Sequence, residues 1–368
     1  MYNQVILYRG PLERSRLKLL ISSILVNGTA HFLWVYPGVL TQEQKERFEN
    51  FIANYALTSV HVLNDKGLKA LQLKLKLKQF NGANNYDIAH FIGFRSYFYA
   101  TAFTAKKKVW YVNGIPEEAL LHNSGFKNRI KCYMQWRLAK SRQSPDLIVP
   151  VSKPMARLIH ERLFNCEYKI VPITVDTSIF KQRNQKKKYF TYLGTGAPWQ
   201  ALDLLEKLWF ELYQQDNSIQ YRVISRDARC RILATRLPES CIEFVASSDF
   251  SIVADYLAEA RVGFLIRRDN VVNNVSFPTK YAEYVASGAF VVLSEIKWDL
   301  NSYVNNYKTG LLVNNEDLIS IQADRILKFL QVNINESNVE NFEASTIALS
   351  NNTWKDELSK AIQNLMKV

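Results

Sequence analysis

Ser276-Phe277-Pro278-Thr279-Lys280-Tyr281-Ala282-Glu283-Tyr284-Val285-Ala286-Ser287-Gly288-Ala289-Phe290-Val291-Val292 is the stretch whose reading decides the fold. Pro278 pre-sets φ for a first helical turn, with Ser276 or Phe277 beside the cap. Gly288 ends the helix, and the apolar run Phe290–Leu293 follows as a buried strand. Upstream, Gly263-Phe264-Leu265-Ile266-Arg267-Arg268-Asp269-Asn270 is a strand running into a charged loop. Strand, loop, helix and strand in that order make the repeating unit of a parallel sheet. Lys280 and Glu283 lie three apart on the helix and share a face. A helix N-terminus, Lys280 and the arginines Arg267 and Arg268 suit a diphosphate, while a carboxylate one turn further in can grip a ribose diol.

The same alternation extends to both ends of the chain. Strands are expected at Val5–Tyr8, Ala30–Val35, Val60–Leu63, Ile88–Ile92, Lys108–Val112, Leu147–Val151 and Lys169–Ile173, with helical stretches such as Thr41–Tyr55 between them. The polar run from Phe180 to Lys188, rich in lysine, reads as a linker. A fresh pattern then begins at strand Tyr189–Leu193 and continues through helix Leu202–Gln215 and strands Tyr221–Ser225, Ile242–Val245, Val262–Leu265 and Phe290–Leu293. Asn315–Val332 and Thr353–Val368 read as helices. Directly after strand Tyr189–Leu193 comes Gly194-Thr195-Gly196, a turn whose glycines would let backbone approach a phosphate, or which is a plain strand-to-helix turn. In an open parallel sheet ligands bind beyond the carboxyl ends of the strands. That rule adds Gly10, His90 and Asn113 to the candidates; His90 reads either as a proton carrier or as a core histidine.

The 368 residues suggest about two domains, and 48% hydrophobic with 22% charged residues excludes a disordered chain. No apolar run reaches the roughly 18 residues of a membrane-spanning helix. The first residues have neither a basic region nor a long apolar one, so a secretory signal is not expected. Cys132, Cys166, Cys230 and Cys241 are scattered without zinc spacing, which points to a reduced, cytoplasmic protein with no metal site. Net charge is +13 and uneven: residues 1–180 hold 25 basic and 12 acidic side chains, and residues 181–368 hold 22 of each. The first half therefore meets something anionic or simply presents a solvated face. The lysine–leucine alternation from Leu68 to Phe80 fits helix or strand, and on a helix Leu68, Leu71 and Leu75 would form one stripe. Phe126–Arg142 reads as a basic helix with an aromatic–methionine face, which either joins the core or lies on anionic lipid.

Ser276-x-Pro278-x-Lys280-x-x-Glu283-Tyr284-x-Ala286-x-Gly288 resembles the donor-binding signature of GT-B glycosyltransferases of the family-four type. Tyr86-Asp-Ile-Ala-His90, Asn113-Gly-Ile-Pro-Glu-Glu118, Pro145–Met155 and Lys169–Phe180 resemble further segments of that family in order. The resemblance implies an α/β protein of the GT-B fold, with two Rossmann-like domains facing across a cleft. The expected domains are an acceptor-binding one at 1–178, a nucleotide-sugar-binding one at 179–352, and a terminal helix at 353–368 packing back on the first. It implies a cytoplasmic enzyme, possible at the membrane periphery, that moves a sugar from a nucleoside-diphosphate sugar (UDP- or GDP-sugar) to a glycan or lipid-linked acceptor. Retention, no permanently bound cofactor, no metal and no nucleic-acid partner are implied with it, and bacterial surface-polysaccharide synthesis is the expected setting. The implied catalytic residues are His90, Asn113, Lys280 and Arg267. The implied donor contacts are Gly10, Gly194, Thr195, Gly196, Arg226, Arg268, Ser276, Phe277, Pro278, Thr279, Lys280 and Glu283, with Glu283 on the ribose. Relatives commonly carry a second glutamate eight positions before the first, where Val275 stands, and many carry a histidine where Asn113 stands. Two other readings fit parts of the pattern: a nucleotide-sugar epimerase of the same architecture, disfavoured because residues 181–368 hold no histidine, and a nucleic-acid binder using the basic half.

Overall fold

A computed structural model describes residues 1–9, 15–36, 40–64, 70–82, 84–183, 187–333 and 339–367. The chain forms two compact units: residues 1–172 together with 352–368, and residues 173–351.

The first unit is one parallel sheet of six strands in the order β3-β2-β1-β4-β5-β6. Its strands are β1 (Tyr2–Arg9), β2 (Gly28–Tyr36), β3 (Ser59–Asn64), β4 (Tyr86–Ile92), β5 (Ala105–Val112) and β6 (Leu147–Pro150). Its helices are α1 (Ser15–Leu25), α2 (Gln42–Ile52), α3 (Ala70–Asn81), α4 (Glu118–His122), α5 (Phe126–Lys140) and α6 (Lys153–Arg162), with a 3-10 segment at Phe94–Ala102. Right-handed crossovers put α1 and α2 on one face and α3, the 3-10 segment and α5 on the other. The strands are continuous apolar runs because both faces are covered; Val5–Tyr8 and Ile88–Ile92 are buried throughout.

The second unit repeats this order as β12-β11-β10-β7-β8-β9. It contains β7 (Tyr189–Leu193), α7 (Leu202–Gln215), β8 (Gln220–Ile224), β9 (Ile242–Val245), α8 (Phe250–Ala258), β10 (Ala260–Leu265), α9 (Val271–Val275), α10 (Thr279–Ala286), β11 (Phe290–Ser294), α11 (Leu300–Tyr307), β12 (Gly310–Val313), α12 (Ile319–Asn333) and α13 (Val339–Ala348). Its core centres on Trp209 of α7, which is fully buried with Tyr221 and Phe264 around its ring. In both units strand order reverses between the first and fourth strands, β1/β4 and β7/β10, the place where such sheets bind ligands.

Helix α14 (Asn351–Leu365) returns to the first unit. Leu358 and Ile362 sit in one apolar cluster with Ile21 and Ile24 of α1. The Ser359 hydroxyl donates to the Ser23 carbonyl at 3.0 Å, and Lys169 pairs with Glu357 at 2.8 Å. Leu358 is fully buried, so Leu358→Ala is expected to cost about 2–5 kcal/mol of unfolding free energy, read from denaturant curves.

The structure differs from the sequence reading in four places. Lys169–Ile173 is no strand; only Tyr168 bridges Ile148. Strand β12 was not foreseen. The units divide at Pro172, before the basic run at Phe180, because Val175 pairs with Leu349 and Asn351 inside the second unit, and Phe180 is buried there near Phe250. The lysine–leucine alternation is helix α3, but Leu73 and Leu77 are buried while Leu71 and Leu75 face water; Leu68 lies outside the described residues.

Candidate functional site

The second unit's switch point gathers the candidate residues. Strand β7 ends at Leu193, and Gly194 follows at φ +145°, a conformation that L side chains rarely adopt. Its missing side chain is also space: a Cβ there would stand 1.8 Å from Nζ of Lys280. The opposite wall is α10, which lies close on β10 because Gly263 has no Cβ to meet the Tyr284 ring, 2.4 Å away. The Tyr284 hydroxyl in turn accepts from the Leu193 amide at 2.7 Å, fixing the end of β7 against the helix.

Pro278 caps α10, so the amides of Thr279 and Lys280 open the helix without intrahelical acceptors. Lys280 extends its ammonium across Gly194, donates to Oε1 of Gln200 at 3.0 Å and lies 5.0 Å from the centroid of Tyr192. Burial, and then the charge of Arg267, hold its pKa well below the usual lysine range. One turn on, Glu283 is 7% exposed. Burial pushes its carboxyl up to about 7, against the opposing pull of Lys280. Among the described residues no side chain donates a hydrogen bond to that carboxylate. Desolvation thus disfavours the ionised form of both groups, and the carboxylate lacks a side-chain donor.

Arg267, just past β10, is buried. Nη1 donates to the Trp199 carbonyl at 2.9 Å, its amide donates to Oγ of Ser294 at 2.9 Å, and its carbonyl accepts from Nδ2 of Asn315 at 2.6 Å. Burial lowers its pKa to about 10, and Nε has no partner. Arg267 therefore pins the loop after β7 and the ends of β11 and β12, and lends its field to the site from within. Arg268 is turned to solvent and pairs with Asp203 at the start of α7. Arg226, exposed past β8, reaches Oγ of Ser248 at 3.3 Å.

The Gly194 amide donates to the Ile224 carbonyl at 3.1 Å and the Gly196 amide to Asp227 at 2.9 Å, while the Thr195 carbonyl accepts from Tyr192 at 2.7 Å. Those glycine N–H groups are already bonded to the end of β8 and the loop that follows it. What the turn supplies is room for Lys280. Ser276 closes α9 by donating to the Asn273 carbonyl at 2.8 Å, and Phe277 packs edge-on against Tyr303. Val275, at the position where relatives carry a glutamate, is buried and apolar.

Of the first-unit candidates, His90 is fully buried in β4. Gln4 donates through Nε2 to the Ile24 carbonyl at 3.0 Å, so its Oε1 accepts from Nε2–H of His90 at 2.9 Å. The Tyr111 hydroxyl then bonds Nδ1 at 2.9 Å. Burial drives the histidine down to about 3, so it is neutral and has both nitrogens occupied. That is the core-histidine alternative, and it corrects His90 as a proton carrier. Asn113 is half-buried just past β5, and Gly10 lies outside the described residues. Gln200, Asn273, Ser294 and Asn315 belong to the second-unit site and escaped the sequence. Asn273 donates to the Arg268 carbonyl at 2.8 Å, and Asn270 caps α9 through the Asn273 amide at 3.0 Å. The Asn-x-x-Asn spacing was a signal for that cap. Nothing local marked Gln200. Among the described residues no group of three His, Cys, Asp or Glu side chains could hold a metal ion.

The raised carboxyl of Glu283 has a stability signature. The folded protein keeps a proton that the unfolded chain releases between about pH 4.5 and 7, so this group makes stability fall as pH rises through that window. Glu283→Gln is expected to flatten that part of the pH–stability curve, measured by denaturant unfolding across the window.

Residues 187–332 match the family model described as glycosyl transferases group 1. The second unit is therefore a glycosyltransferase domain, and the match contains every second-unit site residue named above. No curated protein matches the chain. Among solved structures the chain is similar to sucrose-phosphate synthase from Thermosynechococcus elongatus, with a TM-score of 0.73 at 12% identity over 100% of this chain and 98% of that one. It is similar to HepE of Anabaena, solved in complex with UDP-glucose, with a TM-score of 0.73 at 13% identity over 99% and 100%. It is also similar to WaaG, a glycosyltransferase involved in lipopolysaccharide biosynthesis, with a TM-score of 0.64 at 10% identity over 98% and 99%. Together with the two six-stranded sheets, these likenesses establish the GT-B fold.

Proposed function

We propose that this chain, whose second unit is a group 1 glycosyltransferase domain on a GT-B fold, moves a sugar from a nucleoside-diphosphate sugar to a glycan or lipid-linked glycan acceptor in the cytoplasm. One observation carries the reading: at the β7/β10 switch point half-buried Lys280 and buried Glu283 lie one turn apart at the start of α10, and no side chain among the described residues donates to the carboxylate. A nucleoside diphosphate completes both. Its phosphates meet Lys280 and the first amides of α10. Its ribose diol donates to Glu283.

In the reaction the bond from the sugar's anomeric carbon to the diphosphate breaks as the acceptor oxygen bonds that carbon, and the acceptor's proton leaves with the released nucleotide. Charge then grows on the leaving diphosphate, and Lys280, with the α10 dipole and the field of Arg267, stabilises it. HepE, solved with UDP-glucose and with UDP, supports a uridine donor over a guanosine one. WaaG and the lipopolysaccharide outer core galactosyltransferase WaaB support an acceptor in surface-polysaccharide synthesis, with retention as the family habit. Val275 in place of an acid leaves recognition of the sugar's hydroxyls to other groups.

The test is thermal stabilisation by UDP, GDP, CMP, ADP and dTDP. At about one hundred times its dissociation constant a ligand adds about 2.7 kcal/mol, a readily measured shift. UDP is expected to stabilise the protein most. A flat response to all five would sink the reading.

A further inference from the structure

The first unit carries a surface that the donor site does not use. On α5, Phe126, Tyr133 and Met134 are 77%, 61% and 56% exposed, and Ile130 and Leu138 stand out of the protein beside them. The side of the helix turned inward holds Cys132 and Ala139, both buried, and half-buried Trp136, whose indole donates to Glu117 at 3.0 Å. The aromatic–methionine face is therefore the outer one. Core packing, the other reading that the sequence left open, does not account for it.

The same outer side is basic. Helix α5 contains Lys127, Arg129, Lys131, Arg137 and Lys140 and no acidic residue. Among the described residues none of the five has an acidic partner. Helix α3, which packs with α5 against the 3-10 segment Phe94–Ala102, adds Lys74, Lys76 and Lys78, again with no acid, and exposes Leu71 and Leu75. Two neighbouring helices on one face of the sheet thus each present aliphatic side chains among unpaired cations.

We propose that α5, assisted by α3, docks the first unit on an anionic lipid surface. Apolar side chains insert at the headgroup level while lysine and arginine stems reach back to the phosphates, an arrangement such stems permit. Isoleucine, leucine and methionine are buried by hydrocarbon, whereas nucleic acid offers them no counterpart. A symmetric contact between two copies of this face would set five unpaired cations against five more. The inference is independent of the donor reading, because it concerns the other unit.

Co-sedimentation of the full-length protein with vesicles tests it. Vesicles of phosphatidylglycerol and phosphatidylethanolamine should retain the protein about tenfold or more better than phosphatidylcholine vesicles. The charge-reversed Lys127→Glu/Lys131→Glu variant, and separately Phe126→Ser/Met134→Ser, should each lose about tenfold or more of that binding while keeping the wild-type thermal shift with nucleotide. Equal partition of the wild type into both vesicle types overturns the proposal. So do unchanged binding by both variants, or a dimer in solution that the variants dissolve. Loss of nucleotide response with vesicle binding intact counts against the donor site alone.

Discussion

Glu283→Ala is expected to weaken binding of the stabilising nucleotide by about a hundredfold or more and to abolish its thermal shift. A hydrogen bond to a charged group contributes about 1.5–3 kcal/mol, and a ribose diol can give two to one carboxylate. Losing both amounts to about 3–6 kcal/mol, or at least two decades in the dissociation constant. The free protein should tolerate the change, because the carboxylate is penalised by burial and no side chain among the described residues donates to it. Glu283→Gln separates charge from shape: it keeps the volume, and it should bind nucleotide between the wild type and the alanine variant. Titration calorimetry decides the matter, and a dissociation constant within about threefold of wild type for Glu283→Ala would remove the ribose contact from the scheme.

Lys280→Ala should show its largest effect in turnover. Removing one preorganised group that stabilises developing charge typically lowers kcat by about 10²–10³. The nucleotide also keeps its ribose contact, so affinity should fall less than rate. Lys280→Arg should rescue little. The ammonium runs through a slot bounded by Gly194 on one side and Tyr192 on another, and it ends on Gln200. A planar guanidinium needs more width and a different hydrogen-bond geometry. Release of nucleoside diphosphate, followed at saturating donor, measures this. An arginine variant with near wild-type kcat would show that any cation in the region suffices.

The legible part of the site is the part carried by one short stretch. Pro278, Lys280, Glu283 and Gly288 show helix, register and shared face within eleven positions, because helical spacing is a local rule. Gln200 lies eighty positions before Lys280 in the chain, and only the folded sheet makes them neighbours. Gly194 was open to two readings for a similar reason: its amide is used by Ile224 on the adjacent strand, which no inspection of the turn could reveal. His90 followed the other pattern. It lies inside β4, and its partners Gln4 and Tyr111 come from the two flanking strands and seal it in the core. The sheets themselves were readable wherever both faces are buried, since such strands are plain apolar runs. Short β12, with its half-buried Gly310, Leu311 and Leu312, gave no such run.

The return of α14 to the first unit has a consequence in the order of synthesis. A ribosome delivers residues 173–351 entire before it delivers Leu358 and Ile362, so the second unit can finish folding while the first still lacks a helix. Until then Ile21 and Ile24 of α1 wait with an uncovered apolar groove. The nascent chain therefore carries a completed second unit and an unfinished first one until the last helix emerges and closes the groove. Premature termination after Asn351 would leave the donor residues in place on a polypeptide whose other half stays sticky, the kind of product that chaperones and proteases remove.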